Sequence, residues 1–527
     1  MGVGQSIEDH YDTLNKRIKR YAECTPNKEL FIFRDGDKRE AITARDWLEL
    51  SGRFSAKLKR QGFLHNDVIA NTLPNSPERL ITDTATILAG CVSLNGQILL
   101  SDGADFFLSA RASRCRAVVV TPDGGSPAWK LLQPYIKKSS SLFAELSCDQ
   151  APELTRAILV TRDVEGSIPA LMTVLRDDVT PPLVTDVSPD TDAIVMTTSG
   201  STGYSKLVPR THKEIIDYYK LFIRDLDKRL PNLRPGDKPF FNDRPLAFKL
   251  LLEGQVRPAP QGWIAGYPHS TYYSTQPRLL LDFWNGPKEG DEKWKAIEAE
   301  GCFGALLLSL DLATVLKQRE QENNSSQSKF KLQMMMSQFS SYLTLTADVV
   351  SAYGSTEGHV VSSASITGAA VFKSYLNRLD NNHSASEKAF TADGWFKTED
   401  DGYVDDEGNV YVLGRKNDVI MYGAYVLYPT WLEEKIAKHP DVMEACVVPV
   451  PDPVKLHEIC ACVKTDPGSD LTEEELRQFC EKLFVVESES TPSPKYFIIM
   501  GSEFPQTASG KTDRQVLKRL ASEKFAS

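Results

Sequence analysis

Thr198-Ser199-Gly200-Ser201-Thr202-Gly203-Tyr204-Ser205-Lys206 crowds hydroxyl and glycine residues into one short stretch and closes it with a lysine. Ahead of it, Ala193-Ile194-Val195-Met196 is an apolar run that predicts a buried strand. Behind it, Thr211 and Glu214 have the spacing of a capping box. Ile215, Tyr219, Phe222 and Leu226 then keep helical period. A strand, a glycine-rich loop and a helix in this order let backbone N–H groups and hydroxyls surround a polyphosphate. Glycine permits close approach of the backbone, and Lys206 adds a mobile positive charge. A flexible Ser/Gly tether is the alternative, and the regular periodicity on both sides argues against it.

The pattern does not end in Gly-Lys-Ser/Thr, so it departs from the Walker loop, and G-x-G-x-x-G is absent from it as well. It closely resembles the signature loop of adenylate-forming enzymes, a family of acyl-CoA synthetases, aryl-CoA ligases, adenylation domains and luciferases; Ser205 stands where that loop has proline. Further stretches match in family order. Asn75-Ser76-Pro77-Glu78 opens a helix running to Gly90, with Leu80, Thr84, Ile87 and Leu88 on one side. Tyr353-Gly354-Ser355-Thr356-Glu357-Gly358 follows the apolar pair Val349-Val350. Gly394-Trp395-Phe396-Lys397-Thr398-Glu399-Asp400-Asp401-Gly402 leads into a hairpin with strands Tyr403-Val404 and Val410–Leu413. Gly414-Arg415-Lys416-Asn417-Asp418 is similar to the family's hinge, and Pro505-Gln506-Thr507-Ala508-Ser509-Gly510-Lys511 to its lysine loop.

The resemblance implies an α/β fold. A large N-terminal domain over residues 1–413 would hold two α/β sheet subdomains and a small β subdomain that is shortened here. A hinge at 414–418 would lead to a small mobile α+β domain over 419–527. Within that last stretch, Pro429 opens a helix through Lys438, Ala445 to Val450 is a strand, and Thr472 with Glu475 caps another helix.

The implied chemistry is attack of a carboxylate on the α-phosphate of ATP, giving an acyl-adenylate and pyrophosphate, then displacement of AMP by the thiol of CoA. The protein's task is to position anions against each other and stabilise the charge that builds up. Lys511 would be the adenylation lysine, bridging carboxylate and α-phosphate. Thr356 would bond the α-phosphate, Glu357 would hold Mg²⁺ with a hard carboxylate oxygen, and Tyr353, beside Gly354 and Ser355, would pack on adenine. Asp400 would accept from the ribose hydroxyls and Arg415 would reach ribose or phosphate. Thr198 to Gly203 and Lys206 would surround the phosphates. Trp263 would border the acyl pocket, with plain core packing as its alternative. Asn417 would be the pivot, because adenylation needs Lys511 inside the site and thioester formation needs it out. The expected small-molecule partners are a carboxylic acid, first of all a fatty acid, with ATP and CoA.

Four departures separate this chain from the pattern. Glu399 stands where the family has glycine, directly before Asp400, and adds a negative charge near ATP. Met334-Met335-Met336-Ser337-Gln338-Phe339 lies near the place of a Gly-rich loop. Only residues 358–399 separate Glu357 from Asp400, fewer than in relatives. Residues 246–261 have the character of an insertion. They leave a second reading open, a non-catalytic acyl- or nucleotide-binding homologue, beside an aryl-acid CoA ligase and a luciferase-like oxidase.

Composition bounds these readings. A chain of 527 residues exceeds what one core organises, so two or more domains are expected. The net charge of −10 argues against broad nucleic-acid binding. Nine scattered cysteines without framework spacing suggest reduced thiols and an intracellular, cytoplasmic setting. Cys460 and Cys462 alternate along an apolar run, which predicts one face of a strand rather than a metal site. No apolar run reaches the length of a membrane span. Met1-Gly2-Val3-Gly4-Gln5-Ser6 fits a myristoylation pattern, so membrane contact, and with it a scaffold role, would follow only from acylation of Gly2.

Overall fold

The computed structural model describes residues 13–96, 98, 102–137, 141–163, 168–197, 206–217, 237–241, 277–285, 290–306, 334–337, 348–351, 376, 384–393, 395–404, 410–423, 425–465, 468–485, 492–501, 504–506 and 512–525. The chain divides into two compact units, Met1–Phe396 and Lys397–Ser527.

In the first unit the helix Leu14–Cys24 leads into an antiparallel pair, β1 (Glu29–Asp35) and β2 (Lys38–Thr43). A seven-stranded sheet comes next, made of β3 (Val68–Asn71), β4 (Val92–Asn95), β5 (Cys115–Val120), β6 (Phe143–Glu145), β7 (Arg156–Leu159), β8 (Asp192–Thr197) and β9 (Leu207–Thr211). Its order is β6-β7-β5-β3-β4-β8-β9, parallel through the centre and antiparallel at both borders. The central strands β3 and β4 are buried along their whole length, as parallel strands covered on both faces should be. A second seven-stranded sheet gathers β10 (Phe240–Phe241), β11 (Arg278–Leu281), β12 (Gly304–Leu306), β13 (Met334–Ser337) and β14 (Asp348–Ser351) onto the opening pair, in the order β14-β13-β12-β10-β11-β1-β2. The methionine run is therefore a strand, Met334–Ser337, and Val349-Val350 lies in another.

The helix Pro77–Leu88 begins as expected, with Ser76 accepting from the Arg79 amide at 3.0 Å and Pro77 in the first turn. It differs in one respect: all of its residues are buried, not one side of them. Its polar residues fold inward instead of facing water. Arg79 donates from Nε to Asp83 at 2.6 Å and from Nη1 to the carbonyls of Asn71 and Leu73 at 2.8 and 2.7 Å. Asp83 also accepts from Asn71 and Ser93 at 3.0 and 2.8 Å. Buried charges are tolerated when paired and hydrogen-bonded in this way.

Arg162, just past β7, joins the two sheets. It donates to both oxygens of Glu78 at 3.1 and 2.7 Å, pairs with Asp282 past β11 at 2.8 Å, and lies 4.8 Å from the centroid of the Trp284 ring. Burial pushes the Asp282 carboxyl above its ordinary range, although Arg162 pulls the other way.

The second unit starts with the hairpin of β15 (Asp400–Val404) and β16 (Val410–Arg415). Beyond it lies a five-stranded sheet: β17 (Ile420–Tyr422), β18 (Tyr425–Leu427), β19 (Val442–Asp452), β20 (Leu456–Thr465) and β21 (Tyr496–Met500). The order is β18-β17-β20-β19, with β21 parallel to β20. Period-two alternation sends its side chains to two cores. Val447, Ile459, Ala461 and Val463 meet Leu432 and Ile436 of the helix Pro429–Ile436, and Leu476, Cys480 and Phe484 of the helix Glu473–Val485. On the other face Cys446, Val448, Cys460 and Cys462 meet Leu517 and Ala521 of the helix Arg514–Phe525. The predicted cap is present: the Thr472 amide donates to Glu475 at 2.9 Å and the Glu475 amide to Thr472 at 3.2 Å. Cys460 and Cys462 share a strand face as expected, all nine cysteines are free thiols, and no metal-holding group occurs among the described residues. Nor is any described helix long and apolar enough to cross a membrane.

Candidate active site

β8 carries the predicted buried run, with Ala193, Ile194, Val195 and Met196 at most 1% exposed. Past its end the chain departs from the expected strand–loop–helix order. β9 returns antiparallel along β8, pairing Thr197 with Leu207 and Met196 with Val208. Residues 198–206 therefore link the two strands of a hairpin. Helix begins only at residue 212, one strand length further on, about 16 Å at 3.3 Å per residue. Phosphate recognition by this loop would rest on its own amides and hydroxyls, not on the helix start. The capping box itself is formed: the Thr211 amide donates to Glu214 and the Glu214 amide to the Thr211 hydroxyl, both at 3.1 Å. Lys206 is exposed at the foot of β9. Thr198, Ser199, Gly200, Ser201, Thr202 and Gly203 lie outside the described residues, as do Tyr219, Phe222 and Leu226.

In the second unit, Asp400 and Arg415 face each other across the hairpin and form an ion pair at 2.8 Å. Arg415 also donates to the carbonyl of Thr398 at 3.1 Å, and the Asp400 amide to the Thr398 hydroxyl at 3.2 Å. The two residues read as ribose contacts are thus brought together. The next pair is held as well: Tyr428 donates to Asp401 at 3.2 Å, and Lys416 lies 3.6 Å from the same carboxylate. Asn417 sits in a single 3₁₀ turn, Lys416–Asp418.

Glu399 has φ +60°, the left-handed backbone that glycine adopts without cost. Its carbonyl accepts from the Lys416 amide at 3.0 Å, which fixes the turn. The hairpin keeps the glycine shape and imposes it on a glutamate.

Tyr353, Gly354, Ser355, Thr356, Glu357, Trp263 and Lys511 lie outside the described residues, and so does the stretch 246–261. The ends of the lysine loop are described. Gln506 pairs with Thr512 in an antiparallel bridge, and the Asp513 amide donates to Pro505 at 2.7 Å. The residue that the sequence did not single out is Arg514, immediately beyond. It donates from Nη1 to Glu433 at 2.6 Å and to the Val447 carbonyl at 2.7 Å, and from Nη2 to the second oxygen of Glu433 at 3.2 Å.

Two family models match the chain: the AMP-binding enzyme over residues 18–251 and the AMP-binding enzyme C-terminal domain over residues 432–511. The chain belongs to the AMP-binding, or adenylate-forming, enzymes. The matched stretches of this AMP-binding enzyme contain the hydroxyl-rich loop and end on Lys511, whereas residues 353–357, 400 and 415 fall between them. The chain is 30% identical over 290 residues to the 2-succinylbenzoate–CoA ligase of Geobacillus sp. (strain WCH70), covering 55% of each chain. It is 36% identical over 126 residues to the mitochondrial medium-chain acyl-CoA ligase ACSF2 of Rattus norvegicus, covering 24% of this chain and 20% of that one. The chain thus spans about half or less of the length of these curated relatives. Among solved structures, ATP-bound MatB from Rhodopseudomonas palustris superposes with a TM-score of 0.71 at 18% identity, covering 98% of this chain and 99% of that one. That likeness establishes the α/β fold with its large N-terminal and small C-terminal domains.

Proposed function

We propose that this AMP-binding enzyme is an ATP-dependent carboxylic acid–CoA ligase working through an acyl-adenylate. The single observation that carries the reading is the presence of both family domains in one chain, the first holding the hydroxyl-rich loop and the second ending on Lys511. In the first step a carboxylate oxygen bonds to the α-phosphorus of ATP and the bond to pyrophosphate breaks. In the second the CoA sulfur bonds to the acyl carbon and AMP leaves.

Residues 198–206 would hold the phosphates, with Thr356 on the α-phosphate and Tyr353 against adenine. Asp400 would turn from Arg415 to the ribose hydroxyls, leaving the guanidinium for ribose or phosphate. Lys511 would stabilise the charge shared by carboxylate and α-phosphate. Glu357 would be the hard-oxygen ligand for Mg²⁺, which when bound would neutralise phosphate charge. Asn417, in the segment 414–418, would let the last domain serve both half-reactions.

Fatty acids are the first substrate class, and the medium-chain acyl-CoA ligase relative supports them. Aryl acids are the second reading, favoured by the 2-succinylbenzoate–CoA ligase relative. The test is carboxylate-dependent pyrophosphate exchange over panels of both classes, with and without Lys511→Ala, then AMP release on adding CoA. Exchange that depends on Lys511 is expected. Absence of exchange with every acid, where a matched active relative exchanges, overturns the proposal in favour of a non-catalytic binder.

A further inference from the structure

The loop that carries Lys511 is held at its neck, and the neck is tied to the segment read as the hinge. Gln506 and Thr512 bridge across the loop, and the Asp513 amide reaches back to Pro505. The Thr512 hydroxyl donates to Glu444 of β19. The Asp513 carboxylate accepts from the amides of Gln515 and Val516 at 3.0 and 3.1 Å, capping the next helix.

Arg514 then reaches three elements at once. Its fork grips both oxygens of Glu433 on the helix Pro429–Ile436 and the carbonyl of Val447 on β19. Its Nε lies 3.8 Å from the carboxylate of Asp418, the last residue of the 3₁₀ turn that contains Asn417. Glu433 also accepts from the Val447 amide at 2.7 Å, so the clamp on β19 is closed on both sides.

We propose that Arg514 is a positioning residue that couples the hinge to the lysine loop. Glu433 and Val447 fix where the loop's neck stands on the domain. Asp418 transmits the setting of residues 416–418 to that neck. A change of backbone angle at the hinge then alters the charge facing Arg514 and shifts residues 505–506 and 512–513, the two ends of the stretch that carries Lys511. The coupling rests on the reading of Lys511 as the adenylation lysine and of 414–418 as the pivot.

Asp418→Asn tests this with least risk to the fold, because the Glu433 clamp stays intact; Arg514→Lys, which keeps the charge and loses the fork, is the second variant. Amide hydrogen exchange over residues 504–513 reads the tie directly and needs no activity. The Asp513 amide is expected to exchange about tenfold faster in Asp418→Asn. In pyrophosphate exchange, kcat is expected to fall about tenfold with KM for ATP within about twofold, the signature of misaimed rather than lost binding. Unchanged Asp513 exchange overturns the inference, and so does faster exchange with kcat unaltered. Lys511→Ala run alongside separates the two claims. If it retains exchange the proposed function falls. If it abolishes exchange while Asp418→Asn leaves Asp513 and kcat untouched, only the coupling falls.

Discussion

Two arginines, one in each unit, use the same grammar in different surroundings. Arg79 and Arg514 both sit in the first turn of a helix, and each hydrogen-bonds one carboxylate together with backbone carbonyl oxygen. Arg79 and its partner Asp83 are 1% exposed, whereas the Arg514 side chain is 26% exposed and its third partner, Asp418, 31%. Desolvation makes the first pair all-or-nothing: satisfied it specifies one packing, broken it leaves a bare charge in a dry core. Partial hydration weakens the outer contact of Arg514, to Asp418 at 3.8 Å, while the fork on Glu433 holds. The difference lies in what water can replace. The first arginine locks its helix into the sheet, and the second ties the start of the helix Arg514–Phe525 to Glu433 and Val447 with one further contact, to Asp418, that stays partly hydrated.

The largest effect expected is at Arg79. Arg79→Met should destabilise the first unit by about 3–5 kcal/mol, because Asp83 is left charged and buried. Urea unfolding measures it, and a loss under about 0.5 kcal/mol, the scale of a surface substitution, would erase the contrast. Arg514→Met should cost about 2 kcal/mol, the scale of a charge-assisted hydrogen-bonded pair open to water on one side. Were its loss to equal that of Arg79→Met, hydration would not be what separates the two clamps.

Glu399 sharpens the comparison from the backbone side. Its left-handed φ of +60° costs about 1 kcal/mol that glycine would not bear. Glu399→Gly should therefore raise the stability of the second unit by about that amount, set against the extra freedom of the unfolded chain. A lower unfolding midpoint would mean that the glutamate side chain offsets the strain.

The smallest effect concerns pH and the third arginine, Arg162. Burial raises the Asp282 carboxyl above its ordinary 3.8, so folding favours its protonated form. That contribution is complete below 3.8 and is lost as pH rises through the raised value. Asp282→Asn removes the titration. Its stability relative to the parent should therefore improve as pH increases across that window, in paired urea titrations. Parallel pH profiles would show that the carboxylate does not respond to its burial.

Much of the architecture could be read from residues that act locally. The apolar run before Thr198, the Thr211–Glu214 and Thr472–Glu475 caps, the hairpin around 403–413 and the alternating cysteines of β20 all formed as their patterns predicted. β9 was missed for a specific reason. Pro209 breaks the pattern of a strand, but among the described residues β9 lies at the border of its sheet, where a residue without an amide can pair with Val195 on one side alone. The helix Pro77–Leu88 was read as one-sided because Arg79, Thr82 and Asp83 resemble a solvated face; their partners Asn71 and Ser93 lie on β3 and β4 and become visible only in space. Arg514 was invisible for the same reason, since Glu433, Val447 and Asp418 are far from it in sequence. The Asp400–Arg415 contact was half legible: both were named singly, and only the hairpin register made them a pair.

The border strand β9 has one more consequence. Pro209 offers no donor, and the carbonyl of Leu207 is already taken by the Leu376 amide at 2.8 Å. A stray extended segment from another molecule would find neither group ready at these positions. Among the described residues the edge of β9 thus withholds one donor and one acceptor, and Pro209→Val, which restores the donor, is expected to increase association between copies before it alters the fold.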